Sequence, residues 1–308
     1  MLRYMIRRFL LMIPTLLGIY TITFLLVHAA PGGPWNYAAR PLRPEIVERI
    51  KAKYHLNDPL PKQYVDYLAG ALQGDFGPSF RHQERTVSQV IAGGLPISLQ
   101  VGLVSLLLAM LIGIPLGILS AIRQNTLLDY LATFFSVVGF ATPPYVLAVL
   151  FVLVFAITLG IFPTSGWDGL FSQKSVLPIA TLSIISTALF ARYTRASMLE
   201  VLGNDYLRTA RAKGLTERSV ILRHALRNSL IPVVTVGGVL LADTIIGSFF
   251  VETVFALPGI GYYYVESVLA RDYPLIMAST LVYSVLLLFS NLLVDISYSA
   301  LDPRVRYR

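Results

Sequence analysis

The sequence predicts an all-α, polytopic membrane protein with six transmembrane helices. Of its 308 residues, 55% are hydrophobic and 14% are charged, and the mean hydropathy is +0.66. That is more apolar surface than a soluble core of this length can bury. The apolar residues also lie in long runs, and a helix of about 20 residues crosses the hydrocarbon of a bilayer. Composition and run length together place the chain in a membrane.

Six apolar runs are long enough to span. They lie near residues 9–30, 97–122, 131–161, 176–195, 229–251 and 275–299. The first run ends at His28-Ala29-Ala30-Pro31, which resembles a signal-peptide cleavage site, but it exceeds the roughly 7–15 apolar residues of a signal peptide. We therefore interpret it as a retained span. The predicted organisation is an N-terminal tail and first helix (1–30), a long extracytoplasmic loop (31–95) and a five-helix core (96–308).

The distribution of Lys and Arg predicts the orientation. Eight of them lie between Arg192 and Asn228, and six more lie in the two terminal tails, whereas the short loops around Trp167 and Tyr263 hold only Lys174 and Arg271. Because basic residues mark the cytoplasmic side, both termini and the segment 200–228 should face the cytoplasm. The same rule accounts for a pI near 9.7, so the charge does not indicate a nucleic-acid partner.

Two stretches are too polar or too short to span. The loop 31–95 contains a Pro/Gly-rich entry, two amphipathic helical pieces and a GDFG stretch at 74–77, a pattern typical of a small folded cap. Between Val251 and Pro274, the break Leu257-Pro258-Gly259 precedes a tyrosine-rich piece, Gly261–Ala270, that predicts a short re-entrant or interfacial helix.

No pattern indicates catalysis or a bound cofactor. The chain has no cysteine, its four histidines lack metal-ligand spacing, and it contains no G-x-x-x-x-G-K-[ST] phosphate loop. Within the predicted spans, the ionisable residues that we identify are Asp243 and Asp295. Asp295 is expected to pair with an arginine of the C-terminal tail, and Asp243 either lines a polar pathway or bonds to a neighbouring helix.

The basic segment 205–232 predicts a helix, a break and a second helix. Asn204-Asp205 suits the start of a helix through Lys213, Gly214 suits its end, and Thr216 starts the next turn. A basic loop against lipid headgroups is one interpretation. The small residues Ala210, Ala212 and Gly214 favour another, a surface that a second protein approaches closely.

These residues resemble a known family, the inner-membrane permease subunits of ATP-binding-cassette (ABC) importers, in the dipeptide, oligopeptide and nickel branch. Arg208-Thr209-Ala210 stands at the family's Glu-Ala-Ala triplet, with Gly214 at its glycine, in the branch's form YLRTARAKGL followed by RHALRNSLIP. The resemblance extends over nearly the whole chain, through GDFG, VETVFALPGIG, RDYP and the closing DPRVRY.

The resemblance implies a type I importer permease fold and a non-catalytic role. It implies four kinds of partner: a homologous second permease, two ABC ATPases, an extracytoplasmic binding protein and membrane lipid. ATP and Mg would be bound by the ATPases and not by this chain. The residues that it assigns to an ATPase-coupling helix are Asp205, Arg208, Ala210, Ala212, Lys213, Gly214 and Leu215.

Peptide is the first substrate that this branch implies, and nickel, a metal chelate or an oligosaccharide are alternatives within it. A stand-alone channel or an ion-coupled carrier is the alternative outside it. A coupled carrier should hold more intramembrane charge than Asp243 and Asp295 and should show an internal repeat.

Overall fold

The computed structural model describes residues 2–33, 43–82 and 84–301. Within these ranges the chain forms helices and no strand, apart from one isolated bridge between Pro78 and Thr86, so the all-helical prediction is confirmed. The closing DPRVRY motif lies outside the described residues. The helices are α1 (Leu2–Ala29), α2 (Pro44–Lys53), α3 (Leu60–Leu72), α4 (Val87–Ile122), α5 (Leu127–Ala141), α6 (Pro144–Phe151), α7 (Gln173–Leu202), α8 (Asp205–Ala212), α9 (Glu217–Ser219), α10 (Leu226–Val254), α11 (Ile260–Ala270) and α12 (Tyr273–Leu301). π-helical turns extend α6 over Val152–Thr158 and join α9 to α10 over Val220–Ala225.

Four helices of the described part are long and apolar enough to cross a membrane: α1, α4, α7 and α12. Two bent pairs, Leu127–Ala141 with Pro144–Thr158 and Glu217–Leu230 with Pro232–Leu241, pass the same test together. Counting each pair as one span gives the six predicted from hydropathy.

The third span is broken at the proline pair Pro143-Pro144, where the prolines inside the span predict a kink. Its halves α5 and α6 meet at 103°, where Thr142 and Pro143 are extended, with ψ values of 120° and 142°. A residue before proline is pushed out of the helical region, and a proline at the first position of a helix starts a new one. The pair Pro143-Pro144 therefore ends α5 and begins α6.

The helix of the second span begins before the predicted residue 97. α4 starts at Val87, directly after Thr86. The Thr86 hydroxyl accepts from the Gln89 N–H (3.3 Å), and the Gln89 side chain accepts from the Thr86 N–H (3.0 Å). This reciprocal capping box fixes a helix start that hydropathy does not detect.

The chain divides into two compact units. The core unit comprises residues 99–256 and 289–301, and the N-terminal unit comprises residues 2–98 and 257–288. The loop predicted over 31–95 belongs, as far as it is described, to the N-terminal unit.

Close helix packing in the core unit depends on glycines that face α7. A side chain at Gly113 of α4 would lie 2.7 Å from the Thr187 carbonyl oxygen, and one at Gly117 would lie 2.5 Å from the Ala191 carbonyl oxygen. Such distances exclude any larger residue, so small residues set the approach of α4 to α7.

The N-terminal unit is built on aromatic contacts between α1 and α3. The Tyr20 ring lies 4.9 Å from the Tyr64 ring and stacks on Tyr67 at 6.1 Å, and its hydroxyl donates to the Tyr64 carbonyl (2.6 Å). Further along α1, His28 bonds to the Gln63 side chain (3.2 Å). These contacts hold α3, the second of the two amphipathic pieces predicted for the loop, against the first span.

Candidate functional site

The basic segment forms a short helix that is anchored by one face. Leu207 and Ala210 of α8 lie three residues apart, on the same side of the helix. Leu207 is fully buried and Ala210 is 7% exposed. They pack in a cluster with Ala121, Met198, Val201, Val220 and Ala225. α8 is therefore fixed to α4 and α7 by apolar contacts.

The opposite face of α8 and the turn that follows it are exposed. The exposed residues there are Asp205, Arg208, Ala212, Lys213, Gly214 and Leu215. Arg208 lies 3.6 Å from Asp205, but both side chains are more than three-quarters solvent-accessible, so the pair contributes little. This surface carries net positive charge beside two small residues.

A complete backbone cap ends α8 at Gly214. Gly214 has a left-handed φ of +78°, and its N–H donates to the Arg211 carbonyl (2.9 Å) while the Leu215 N–H donates to the Ala210 carbonyl (3.4 Å). This pair of bonds is a Schellman motif, whose left-handed position favours glycine. A Cβ added at Gly214 meets no atom within 4 Å, so a side chain there would project outward.

Side chains brace the turn on both sides. The Arg211 guanidinium makes two bonds to the Glu217 carboxylate (3.1 and 2.8 Å) across the Gly214 turn. The Tyr206 hydroxyl accepts from the Asn228 amide (2.8 Å), which ties α8 to α10. The segment is thus a defined protrusion of the core unit.

The structure confirms one prediction about the site residues and contradicts another. The helix end at Gly214 is confirmed, and Asn204 has the extended conformation of a helix N-cap, although its side chain makes no capping bond. The prediction that Ala210 shares the accessible surface is wrong, because Ala210 faces the apolar cluster. Asp243 lies on α10, but its side chain lies outside the described residues. The tail arginines expected to pair with Asp295 also lie outside them.

The sequence analysis missed an ion pair between α5 and α7 whose acid is buried and whose arginine is partly exposed. Asp129 is 2% exposed, and the Arg195 guanidinium donates to both of its oxygens (2.6 and 2.9 Å). The Ser120 hydroxyl (2.5 Å) and the Asn125 N–H (3.0 Å) also donate to this carboxylate. Asp129 lies two residues before the predicted span 131–161 and therefore outside the predicted spans. A charge one turn from a predicted span end was the signal that could have found it.

A second buried acid lies near the C-terminal end of α10. Glu252 is fully buried, and the Ser248 hydroxyl, one turn earlier on the same helix, donates to its carboxylate (2.7 Å). The predicted span stopped at 251, so this residue was counted with the following segment. The helix in fact continues to Val254.

In the N-terminal unit, Asp272 connects two of the quoted sequence motifs. Its carboxylate accepts from the Ser79 hydroxyl (2.5 Å) and the Arg81 N–H (3.1 Å) after the GDFG stretch, and from the Leu275 N–H (3.4 Å) at the start of α12. Asp272 thus caps α12 in the RDYP motif and holds the loop at 79–81. The helix predicted over Gly261–Ala270 is confirmed as α11.

A cavity of about 370 Å³ lies in the N-terminal unit. It is lined among others by the aromatic side chains of Phe24, Tyr54, Tyr67, Phe80 and Tyr273. Its charged groups include Lys62 and Asp58, which pair with each other (2.7 Å). Among the described residues, no group of three His, Cys, Asp or Glu side chains could hold a metal ion.

Comparison with known proteins identifies the family to which this chain belongs. The family model of the binding-protein-dependent transport system inner membrane component matches residues 113–307. A second family model, for the N-terminal part of such membrane components, matches residues 1–102. This chain belongs to the binding-protein-dependent transport system inner membrane component family. Members are membrane-embedded permease components, so the chain is a multi-pass inner-membrane permease component.

Full-length relatives support the same membership. The dipeptide transport system permease protein DppB of Bacillus subtilis (strain 168) is 44% identical over 306 residues, which are 99% of this chain and 98% of the relative. The oligopeptide transport system permease protein OppB of Salmonella typhimurium is 43% identical over 307 residues, 100% of both chains. The resemblance to the peptide branch of this family is therefore confirmed.

Two solved structures share the fold. A chain of an amino acid ABC transporter crystallised with histidines aligns with a TM-score of 0.58 at 16% identity, covering 69% of this chain and 94% of that one. A chain of the inward-facing MetNI methionine ABC transporter aligns with a TM-score of 0.56 at 17% identity, covering 70% and 97%. At such identities the likeness shows the fold alone, and it confirms the predicted importer permease fold.

Proposed function

We propose that this chain is one permease subunit of an ATP-driven importer that moves di- or oligopeptides across the cytoplasmic membrane by alternating access. The observation that carries the proposal is the full-length identity of 42–44% to proteins named as dipeptide and oligopeptide transport system permeases. Nickel, chelate or oligosaccharide transport lacks comparable support among these relatives.

The exposed face of α8 is the surface on which an ATPase subunit docks. A docking helix must be held rigidly to the permease and must let a partner approach closely. The buried Leu207 meets the first requirement, and the outward-facing Ala212 and Gly214 meet the second. Arg208 and Lys213 at the rim would steer an acidic groove, whereas shape complementarity would supply most of the affinity. Asp205–Leu215 is therefore assigned to ATPase coupling.

The remaining partners follow from the family description. A binding-protein-dependent system needs an extracytoplasmic binding protein, and the chain supplies one of two homologous permease subunits beside two ATPases. ATP and Mg are bound by those ATPases, because the sequence lacks a phosphate-cradling loop. Catalysis is assigned to the partners and translocation to the permease pair. Asp243 is a candidate residue of the translocation pathway, because it lies within α10.

Both termini and α8 are assigned to the cytoplasm, and the loop within 31–95 to the outside. The absence of cysteine allows a direct test with single introduced cysteines and an impermeant thiol reagent on intact cells. The exposed positions Gln73 and Phe171 should be labelled from outside, and Thr216, beside the α8 turn, only after permeabilisation. Labelling of Thr216 in intact cells would reverse the assigned orientation.

Transport itself is tested in cells that lack their own peptide importers and express the complete system. Labelled di- and tripeptides should accumulate only when this chain, its ATPases and its binding protein are all present. Accumulation of nickel or an oligosaccharide, and not of peptide, would show that the substrate differs from the one proposed. Accumulation without the ATPases would support the channel or carrier alternative.

A further inference from the structure

We propose that the Asp129–Arg195 ion pair is a positioning element that makes α5, the first half of the broken third span, move together with the ATPase-docking helix α8. The inference rests on the proposed function and extends it to residues outside the docking surface. All the groups involved belong to the core unit.

The packing around α8 defines the starting point. α8 reaches the spans through the cluster that contains Ala121 of α4 and Met198 of α7. No residue of α5 is a member of that cluster or of its partly buried rim as described. A displacement of α8 is therefore passed by apolar contacts to α4 and α7 first, and it reaches α5 through the connections of α5 to these two helices.

Asp129 provides that connection. Its two donors from neighbouring helices are Ser120, adjacent to Ala121, and Arg195, one turn before Met198. The third donor, the Asn125 N–H, lies in the turn that joins α4 to α5, where Asn125 has a left-handed φ of +61°. One carboxylate thus bonds α4, the turn and α7, and its partners in α4 and α7 lie close to residues of the cluster that holds α8.

α5 also packs along α7 through apolar contacts. An open groove of about 590 Å³ runs beside these helices, lined among others by Leu128, Leu131, Phe135, Ala188 and Ala191. Near the far end of α5, an added Cβ at Gly139 would lie 3.2 Å from the Ala188 Cβ, and the 103° break to α6 follows. The ion pair is thus the polar connection at the end of α5 that lies next to the residues contacting α8.

The energetics favour a role in positioning over a role in stability alone. Asp129 is buried and Arg195 is partly exposed. An ion pair with a desolvated member often contributes little net stability compared with apolar residues of similar volume, whereas removal of the counter-charge of a buried acid is costly. The bidentate geometry fixes direction as well as distance. Such a pair favours one relative arrangement of the two helices, because its directional bonds are lost when either helix turns or slides.

The test compares coupling, not activity alone. Asp129→Asn keeps the shape and removes the charge, and Ser120→Ala removes one donor as a milder change. Asp168→Asn is the matched control, because Asp168 forms an exposed ion pair with Lys174 (2.7 Å) in the same unit. For each complex, ATP hydrolysis stimulated by loaded binding protein and peptide uptake are measured per assembled complex.

We expect Asp129→Asn to lower the peptide imported per ATP hydrolysed about tenfold, with a smaller loss for Ser120→Ala and none for Asp168→Asn. An unchanged ratio in both Asp129→Asn and Ser120→Ala would overturn the proposal. A fall in uptake and hydrolysis in equal proportion would also overturn it, because a purely structural defect has that effect.

A distance measurement separates this proposal from the transport proposal. Spin labels on the exposed positions Tyr130 of α5 and Thr209 of α8 should keep one separation in the wild-type complex with and without ATP. In Asp129→Asn the separation should change with nucleotide. If it is constant in both chains, the positioning role is wrong, whatever the solute. If no peptide is imported by wild type but the distances behave as expected, only the substrate is wrong.

Discussion

The segment around α8 and the α2–α3 segment (residues 43–82) are both amphipathic insertions in a membrane protein, and they are held in different ways. α8 anchors itself through the buried side chains of Leu207 and Ala210. Neither α2 nor α3 contains a buried residue. The α2–α3 segment depends on aromatic contacts and on hydrogen bonds such as that from the Tyr67 hydroxyl to the Pro274 carbonyl (2.7 Å).

The difference in anchoring indicates which side chains of each segment are free to contact a partner. Apolar anchors fix a helix without using its polar face, so α8 keeps Arg208, Lys213 and Gly214 for a partner. Hydrogen bonds and stacked rings define a geometry but use the polar groups internally. Substitutions should therefore damage docking in the first segment and local stability in the second.

The largest expected effect tests the docking face at Gly214. Gly214→Leu should abolish peptide uptake and reduce co-purification of the ATPase, while the chain still inserts in the membrane. A left-handed conformation costs a residue with a side chain about 1–2 kcal/mol, and the added bulk points into the docking surface. The measurement is uptake together with the ATPase retained by the tagged chain.

Gly169→Leu is the matched control for that strain. Gly169, in the loop before α7, also has a left-handed φ (+98°) and open space at its Cβ position. It shares the backbone cost but lies outside the proposed docking face. Equal losses of ATPase from both variants would mean that strain, not docking, explains the Gly214 result.

The next largest effect concerns the α2–α3 segment. Asp272→Ala removes the acceptor for Ser79, Arg81 and the first turn of α12, and leaving a buried donor without an acceptor costs about 1–3 kcal/mol. We expect a destabilisation of about 2–4 kcal/mol in thermal unfolding and faster trypsin cleavage after Arg81. The exposed acid Asp66 provides the control: Asp66→Asn should change neither. Normal protease resistance in Asp272→Ala would show that the loop is held by other contacts.

How far the sequence predicts these features depends on the range of the interactions. The helix end at Gly214 depends on residues within one turn, and it was predicted. The six spans follow from hydropathy in the same local way. The break at Thr142-Pro143 also has a local cause, the proline pair Pro143-Pro144, although hydropathy alone gives one continuous span.

The rest could not be predicted, because it depends on contacts that are distant in sequence. Asp129 and Arg195 meet only when α5 packs on α7, and Ser79 and Asp272 are separated by most of the chain. Ala210 was assigned to the wrong face because its small size fits both a docking surface and a close internal contact. Only the position of the α8 cluster decides between them.

A smaller effect is expected for a single hydrogen bond in the α2–α3 segment. Tyr67→Phe removes the donor to Pro274 and should cost about 0.5–1.5 kcal/mol. The Tyr67 residue is only partly buried, but desolvation of its hydroxyl raises the pKa of that group well above its usual value, so the hydroxyl is protonated in the folded chain throughout the neutral range. Below about pH 10 the unfolded chain is also protonated, so the cost should be the same at about pH 6 and pH 9. Thermal unfolding at both pH values checks this, and a cost that disappears at the higher pH would show that the hydroxyl ionises.

The smallest effects should come from charges on the exposed side of α8. Arg218→Gln changes an exposed charge at the rim, and Arg211→Gln breaks the exposed bidentate pair with Glu217. Water and salt screen such groups, so uptake should remain within about twofold of wild type. If ATPase docking is steered by charge, the association rate should fall more than the affinity, and the difference between variant and wild type should disappear at high salt. Uptake and the kinetics of ATPase binding at two salt concentrations measure both quantities. A loss of uptake as severe in Arg218→Gln as in Gly214→Leu would mean that charge, and not close approach at the small residues, dominates this surface, and α8 would then be better explained as an electrostatic contact with lipid headgroups.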